Sequence, residues 1–163
     1  MKRNKDVVAY NLIFPIWAIV VFPPILIFTL PANFIFDSIV CLLGLWIFSD
    51  QVWKKYKKYI LKVFLLGYLA DIIGAIPLVI LYLNDDGSEK TFIDAIAYNV
   101  FWRVDTVIFM TVIVAFVGWL IYYFNRKFVF KNEAPKTARR LSILLAVLTA
   151  PYFFYFPVEW FWY

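Results

Sequence analysis

Residues 98–130 read YNVFWRVDTVIFMTVIVAFVGWLIYYFNRKFVF, and between Val104 and Phe124 they are apolar apart from Asp105 and two threonines. That run matches the roughly 20 residues a helix needs to cross a bilayer. Arg103 and Asp105 place two opposite charges near its start, and Arg126, Lys127 and Lys131 follow its aromatic end. A charged side chain inside a spanning helix costs at least about 2.5–3.5 kcal/mol, so such residues persist where they have partners. The stretch therefore predicts a helix packed inside a bundle of membrane helices.

The composition agrees. The chain of 163 residues is 64% hydrophobic and 22% aromatic, with a mean hydropathy of +0.79, against about 45–50% apolar residues in soluble domains. At this length one domain is expected. Cys41 is the single cysteine and histidine is absent, which removes the usual metal ligands and the commonest general base. Four serines occur, none in a G-x-S-x-G setting. An enzyme is not expected, nor a cofactor or a metal site.

Toward the N-terminus, the only charge from Leu12 to Ser49 is Asp37, and these 38 residues are nearly twice what one crossing needs. Pro31-Ala32-Asn33 is the expected turn, giving spans near 10–30 and 34–52. Pro15, Pro23 and Pro24 predict a kinked or two-piece first helix, because proline removes a backbone donor and clashes with the preceding turn. The sequence after the basic head runs into further apolar residues without a small-residue cleavage site, so the head is read as retained. Residues 50–62, DQVWKKYKKYILK, interleave three aromatics with five lysines, a collar suited to anionic lipid headgroups.

A third span is expected near 59–83, where Gly67, Asp71, Gly74 and Leu78 fall on one helical face with Ala70 beside them; small residues there admit another helix. The polar loop NDDGSEKTFID (84–94) leads to a fourth span near 97–124 and a fifth near 141–157. Fourteen of the sixteen Lys and Arg residues fall in the N-terminal head, the collar and residues 125–140, while the alternate loops hold only Lys90. Cytoplasmic loops carry the excess of basic residues. The expectation is an all-α bundle of five transmembrane helices in the cell membrane, with the N-terminus cytoplasmic and the C-terminus outside.

Asp37, Asp71 and Asp105 recur 34 residues apart, one in each of spans two to four, a spacing that span length sets. In the expected topology Asp37 lies a turn below the outer surface and Asp71 near the midplane, with Arg103 and Asp105 between them. Asp37, Asp71, Arg103 and Asp105 are thus the candidate substrate- or ion-binding residues, with Arg103 and Asp71 as the expected pair. One arginine against three aspartates leaves two carboxylates over, which can hold protons or cations as coupled transporters do; the alternative is a network that only fixes helix packing. Lys54, Lys55, Lys57, Lys58, Arg126 and Lys127 are the candidate lipid-headgroup residues. The +5 charge reflects membrane topology rather than nucleic acid.

The segment FNRKFVFKN (124–132), with LKVFLLGYLADIIGA (61–75) before it, resembles the GtrA family of small membrane proteins. The resemblance implies a role in moving polyprenyl-phosphate-linked sugars, with Arg126, Lys127 and Phe130 as the positions carried over. The family has four spans with this motif after the second; here two extra spans precede the match and one follows. The function expected is transport-type, binding or translocating a small ion, a solute or a polyprenyl-type anionic lipid carrier; the contrasting class is a non-catalytic subunit or scaffold of a larger membrane complex. Membrane lipids, and a second copy of the chain or a partner membrane protein, are the expected associates.

Overall fold

A computed structural model describes residues 23–84 and 92–157, with side chains from Thr29 onward. Among these the chain forms five α-helices: α1 (Pro23–Phe48), α2 (Val52–Leu83), α3 (Phe92–Tyr98), α4 (Val104–Phe124) and α5 (Pro135–Leu148). Three stretches, Thr29–Phe48 of α1, Val52–Leu83 (the whole of α2) and Val104–Val129 (α4 with the turn that follows it), are long and apolar enough to cross a membrane. The expected span near 10–30 lies mostly outside the described residues, as do the basic head, most of the 84–94 loop and the last six residues.

The expected turn at Pro31–Asn33 does not form: α1 runs through Pro31 as one helix. Proline forfeits one backbone hydrogen bond, but a turn in an apolar setting would free several donors and acceptors with no water to take them. The reversal comes instead at residues 49–51, three polar residues between the ends of α1 and α2. Gln51 there takes the left-handed conformation (φ 57°, ψ 46°). This moves Asp37 from near a helix end to the middle of α1.

The collar is not a separate segment either. It forms the first turns of α2, whose 32 residues extend about 48 Å at 1.5 Å per residue. The α2 face read from the sequence is buried, with Gly67, Ala70, Asp71, Gly74 and Leu78 all inside. A Cβ on Gly74 would fall inside the Val117 side chain of α4, so glycine sets how closely these two helices approach.

The fourth span begins later than the expected residue 97. The Asn99 side chain accepts from the Phe101 N–H at 2.9 Å, which favours a 3-10 turn (Val100–Trp102) over a continued helix, and Arg103 is extended (φ −140°, ψ 140°). The Thr106 hydroxyl, wholly buried, lies 2.7 Å from the carbonyls of both Val100 and Arg103 and closes the corner. At its other end α4 widens into a π turn, Asn125–Val129.

The fifth expected span is also different. α5 starts at Pro135, whose missing N–H suits a first helical position, and stops at Leu148 after 14 residues. That is too short to cross on its own. Pro151 cannot donate to the Val147 carbonyl, which accepts from the Tyr152 hydroxyl at 2.6 Å instead. The chain then makes a 3-10 turn, Tyr152–Tyr155.

The packing divides into two apolar clusters. One, around Leu45, Val63, Ile121, Phe130 and Leu141, lies toward the end of the bundle where the basic residues gather. The other, around Leu78, Val100, Met110 and Phe154, lies toward the opposite end. Asp71 falls in α2 between Ala70 of the first cluster and Ala75 of the second.

Candidate functional site

The middle of α1, the middle of α2 and the break after α5 enclose a cavity of about 200 Å³. Asp37 comes from α1 and Asp71 from α2; Asn33, Gly67, Tyr68 and Thr149 also line it, and among the described residues none that lines it is basic. Each aspartate is only 7% exposed. Gly67 keeps the wall between them thin, since a Cβ there would stand 3.6 Å from Asp37 Oδ2. Asp71 Oδ1 is buried with no hydrogen-bond partner among the described residues. An unmade bond at a buried polar atom costs about 1–3 kcal/mol, and more if the group is charged.

Two carboxylates facing one small cavity call for a positive charge between them, either a proton on one oxygen or a cation shared by both. The break after α5 adds to the same wall. It brings Thr149 and irregular backbone to the cavity wall; in a membrane, such backbone is tolerated where it lines a cavity. Half-helix ends and unwound backbone of this kind form cation sites in discontinuous transport helices.

The other two residues of the expected cluster are elsewhere. Arg103 pairs with Asp105, not with Asp71: its Nε donates to Asp105 Oδ1 at 3.0 Å and its Nη2 to Oδ2 at 2.7 Å. Both side chains are about half exposed. Two residues that are two apart on a helix lie about 200° apart and cannot meet, but that holds only if both are helical. Arg103 is extended, so its side chain folds back over the first turn of α4. The pair neutralises itself outside the cavity, and Asp37 and Asp71 remain as the two carboxylates without a basic neighbour there.

At the basic end the candidate headgroup residues separate into two kinds. Lys54, Lys57, Lys58 and Lys127 are exposed. Lys57 lies over the Trp53 ring at 5.2 Å and Lys127 over Tyr123 at the same distance. Arg126 is half-buried in the π turn. Lys55 instead turns inward, where its Nζ donates to Ser49 Oγ at 2.6 Å and to Glu133 Oε2 at 2.7 Å. The Tyr59 hydroxyl donates to Glu133 Oε1 at 2.6 Å.

Glu133 thereby ties α2 to the loop before α5. Burial would raise its carboxyl, but the hydrogen bonds from Lys55 and Tyr59, with the charges of Lys55 and Lys58, outweigh that and hold it below its usual value. The sequence reading passed over Glu133, although it is the one acidic residue among six basic ones in 125–140. Phe130, a position the family resemblance carries over, is fully buried, and its ring meets Tyr59 edge-on at 5.2 Å. It packs; it offers nothing to a headgroup.

Comparison with protein families, curated proteins and solved structures finds no match for this chain.

Proposed function

We propose that the protein is a multi-pass membrane protein of the transport type that binds and passes a small cation, the proton included, at Asp37 and Asp71. One observation carries the reading: among the described residues a buried carboxylate with an unpartnered oxygen, Asp71, shares a cavity with a second carboxylate and no basic residue. A pair that served packing alone would have its oxygens satisfied, as those of Glu133 are.

The positive-inside rule puts the basic end of the bundle in the cytoplasm. α1, α2 and α4 cross the membrane, and α5 with its 3-10 turn enters as a broken fourth element. The cavity of about 200 Å³ has the room of several waters, at about 30 Å³ each. That suits a proton or a small, partly hydrated cation. It is too small for the sugar-phosphate head of a lipid-linked carrier, the cargo implied by the GtrA resemblance.

Proteoliposomes containing the protein and an internal pH dye test this. Imposed proton, Na⁺ and K⁺ gradients should produce a flux through the wild type that Asp71→Asn and Asp37→Asn each reduce to the level of empty vesicles. A folded Asp71→Asn protein with wild-type flux would rule the site out. No flux of any of the three ions through the wild type would favour the subunit reading.

A further inference from the structure

A second and larger hollow, about 520 Å³, lies between α4 and α5 on the outside of the bundle. Its walls are rows of small and apolar residues, Ala115 and Gly118 on α4 facing Ala146 on α5 and Ala150 in the break after it. Along α4 it extends from Thr111 to Tyr122, about 16 Å at 1.5 Å per residue. That is close to half of the roughly 30 Å hydrocarbon thickness, the depth of one leaflet. The deep end is closed by the Tyr155 hydroxyl, which donates to Thr111 Oγ1 at 2.8 Å.

The shallow end opens at the basic end of the bundle. Four residues beyond Tyr122 on one wall stands Arg126, and four before Ile143 on the other stands Arg139. Residues four apart share a helical face, so the two arginines continue the two walls. Neither is ion-paired among the described residues. Lys127 is exposed beside them. Guanidinium groups bind phosphate through paired N–H donors.

We propose that this groove seats one acyl chain of an anionic glycerophospholipid from the leaflet at the basic end, with its phosphate between Arg126 and Arg139. The assignment rests on α4 crossing a membrane and not on cation transport, and its test reads no flux. Three features carry it: leaflet depth, an apolar floor, and two unpaired arginines where the headgroup falls. Ala150 and Tyr152 belong to both this groove and the Asp37–Asp71 cavity, so a seated lipid would brace the break after α5 from behind.

The full chain in a neutral detergent is titrated with phosphatidylglycerol or with phosphatidylcholine of the same acyl chains. Thermal unfolding is followed, and bound lipid is counted by native mass spectrometry. Phosphatidylglycerol should raise the melting temperature more than phosphatidylcholine and remain bound as a single copy. Arg126→Gln with Arg139→Gln should abolish that preference, and Ala115→Phe, which fills the exposed groove, should abolish binding of either lipid. Lys131→Gln with Lys136→Gln, two exposed lysines that do not line the groove, should leave it unchanged. Equal effects of the two lipids on the wild type would overturn the proposal, as would a preference that survives loss of both arginines. A polyprenyl phosphate that displaces phosphatidylglycerol at equal concentration would overturn the assignment to a bilayer lipid.

Discussion

Glu133 and Asp71 are both acidic residues packed against α2 or within it, and they are treated in opposite ways. Glu133 accepts from Lys55 and from Tyr59, one bond to each oxygen. Asp71 is more deeply placed and leaves an oxygen without a donor. The first arrangement fastens two elements with both oxygens used. The second leaves Oδ1 open, which is the capacity the proposed cation site needs. Carboxylate count therefore says little about function in this chain; what separates the two is whether basic and hydroxyl partners reach the oxygens.

The largest expected effect concerns the frame that holds Asp71. Gly74→Leu should destabilise the detergent-solubilised protein by about 3 kcal/mol, the upper range for overpacking, because even its Cβ would fall inside Val117. Gly118→Leu should cost less, since a Cβ there would stand 3.4 Å from the Ala146 carbonyl. Equal losses in thermal unfolding would show that α2 and α4 can separate, and that the cavity wall is not fixed as described.

Next comes a difference of sign. Glu133→Leu strands Lys55 and Tyr59 and should destabilise by about 1–2 kcal/mol, kept modest because Lys55 is partly solvated. Asp71→Leu removes an unsatisfied buried group and should stabilise by about 1 kcal/mol, at the expense of function. Two losses of similar size would erase the contrast between the two carboxylates. Acid sharpens it further. The Glu133 carboxyl sits below its usual 4.5 in the folded chain, so its contribution is complete above that value and is lost as pH falls through the folded one. The wild type should lose melting temperature over that acid range, and Glu133→Gln should lose less.

The smallest effect is expected at the outer pair. Arg103→Met with Asp105→Leu should leave melting temperature and flux within measurement scatter, because the pair is solvated and lies outside the cavity. A marked loss of flux would return both residues to the site.

Much of this was legible in the sequence, for reasons that also explain the misses. The small face of α2 could be read because helical periodicity holds over a long, uninterrupted helix. Asp37 and Asp71 stood out because charge in an apolar run is costly. The sequence already grouped them in one site, but a misplaced turn put Asp37 near a helix end: Pro31 looked like a break, while α1 runs through it as one helix. Arg103 was misassigned because helical angles were applied to a residue that the Asn99-capped turn holds extended. The stop of α5 was signalled by Pro151 but outweighed by the aromatic run after it. Glu133 sits in a loop, where no periodicity marks an inward-facing side chain.

The length of α2 has its own consequence. About 48 Å of helix exceeds a hydrocarbon layer of roughly 30 Å by several turns, and the excess carries Lys54, Lys55, Lys57, Lys58 and Lys62 at successive heights. Lysines can extend to the headgroups from below the surface while their stems stay in hydrocarbon. If α2 crosses a membrane as proposed, it can settle at more than one depth, and a thicker bilayer would submerge another turn without stranding a charge. Lys55, held to Glu133, sets the limit, because it cannot reach for the surface without releasing the loop before α5. Hydrophobic mismatch would then be felt first at that tie, and membranes of different thickness would act on this protein through its basic end before they reached the cavity.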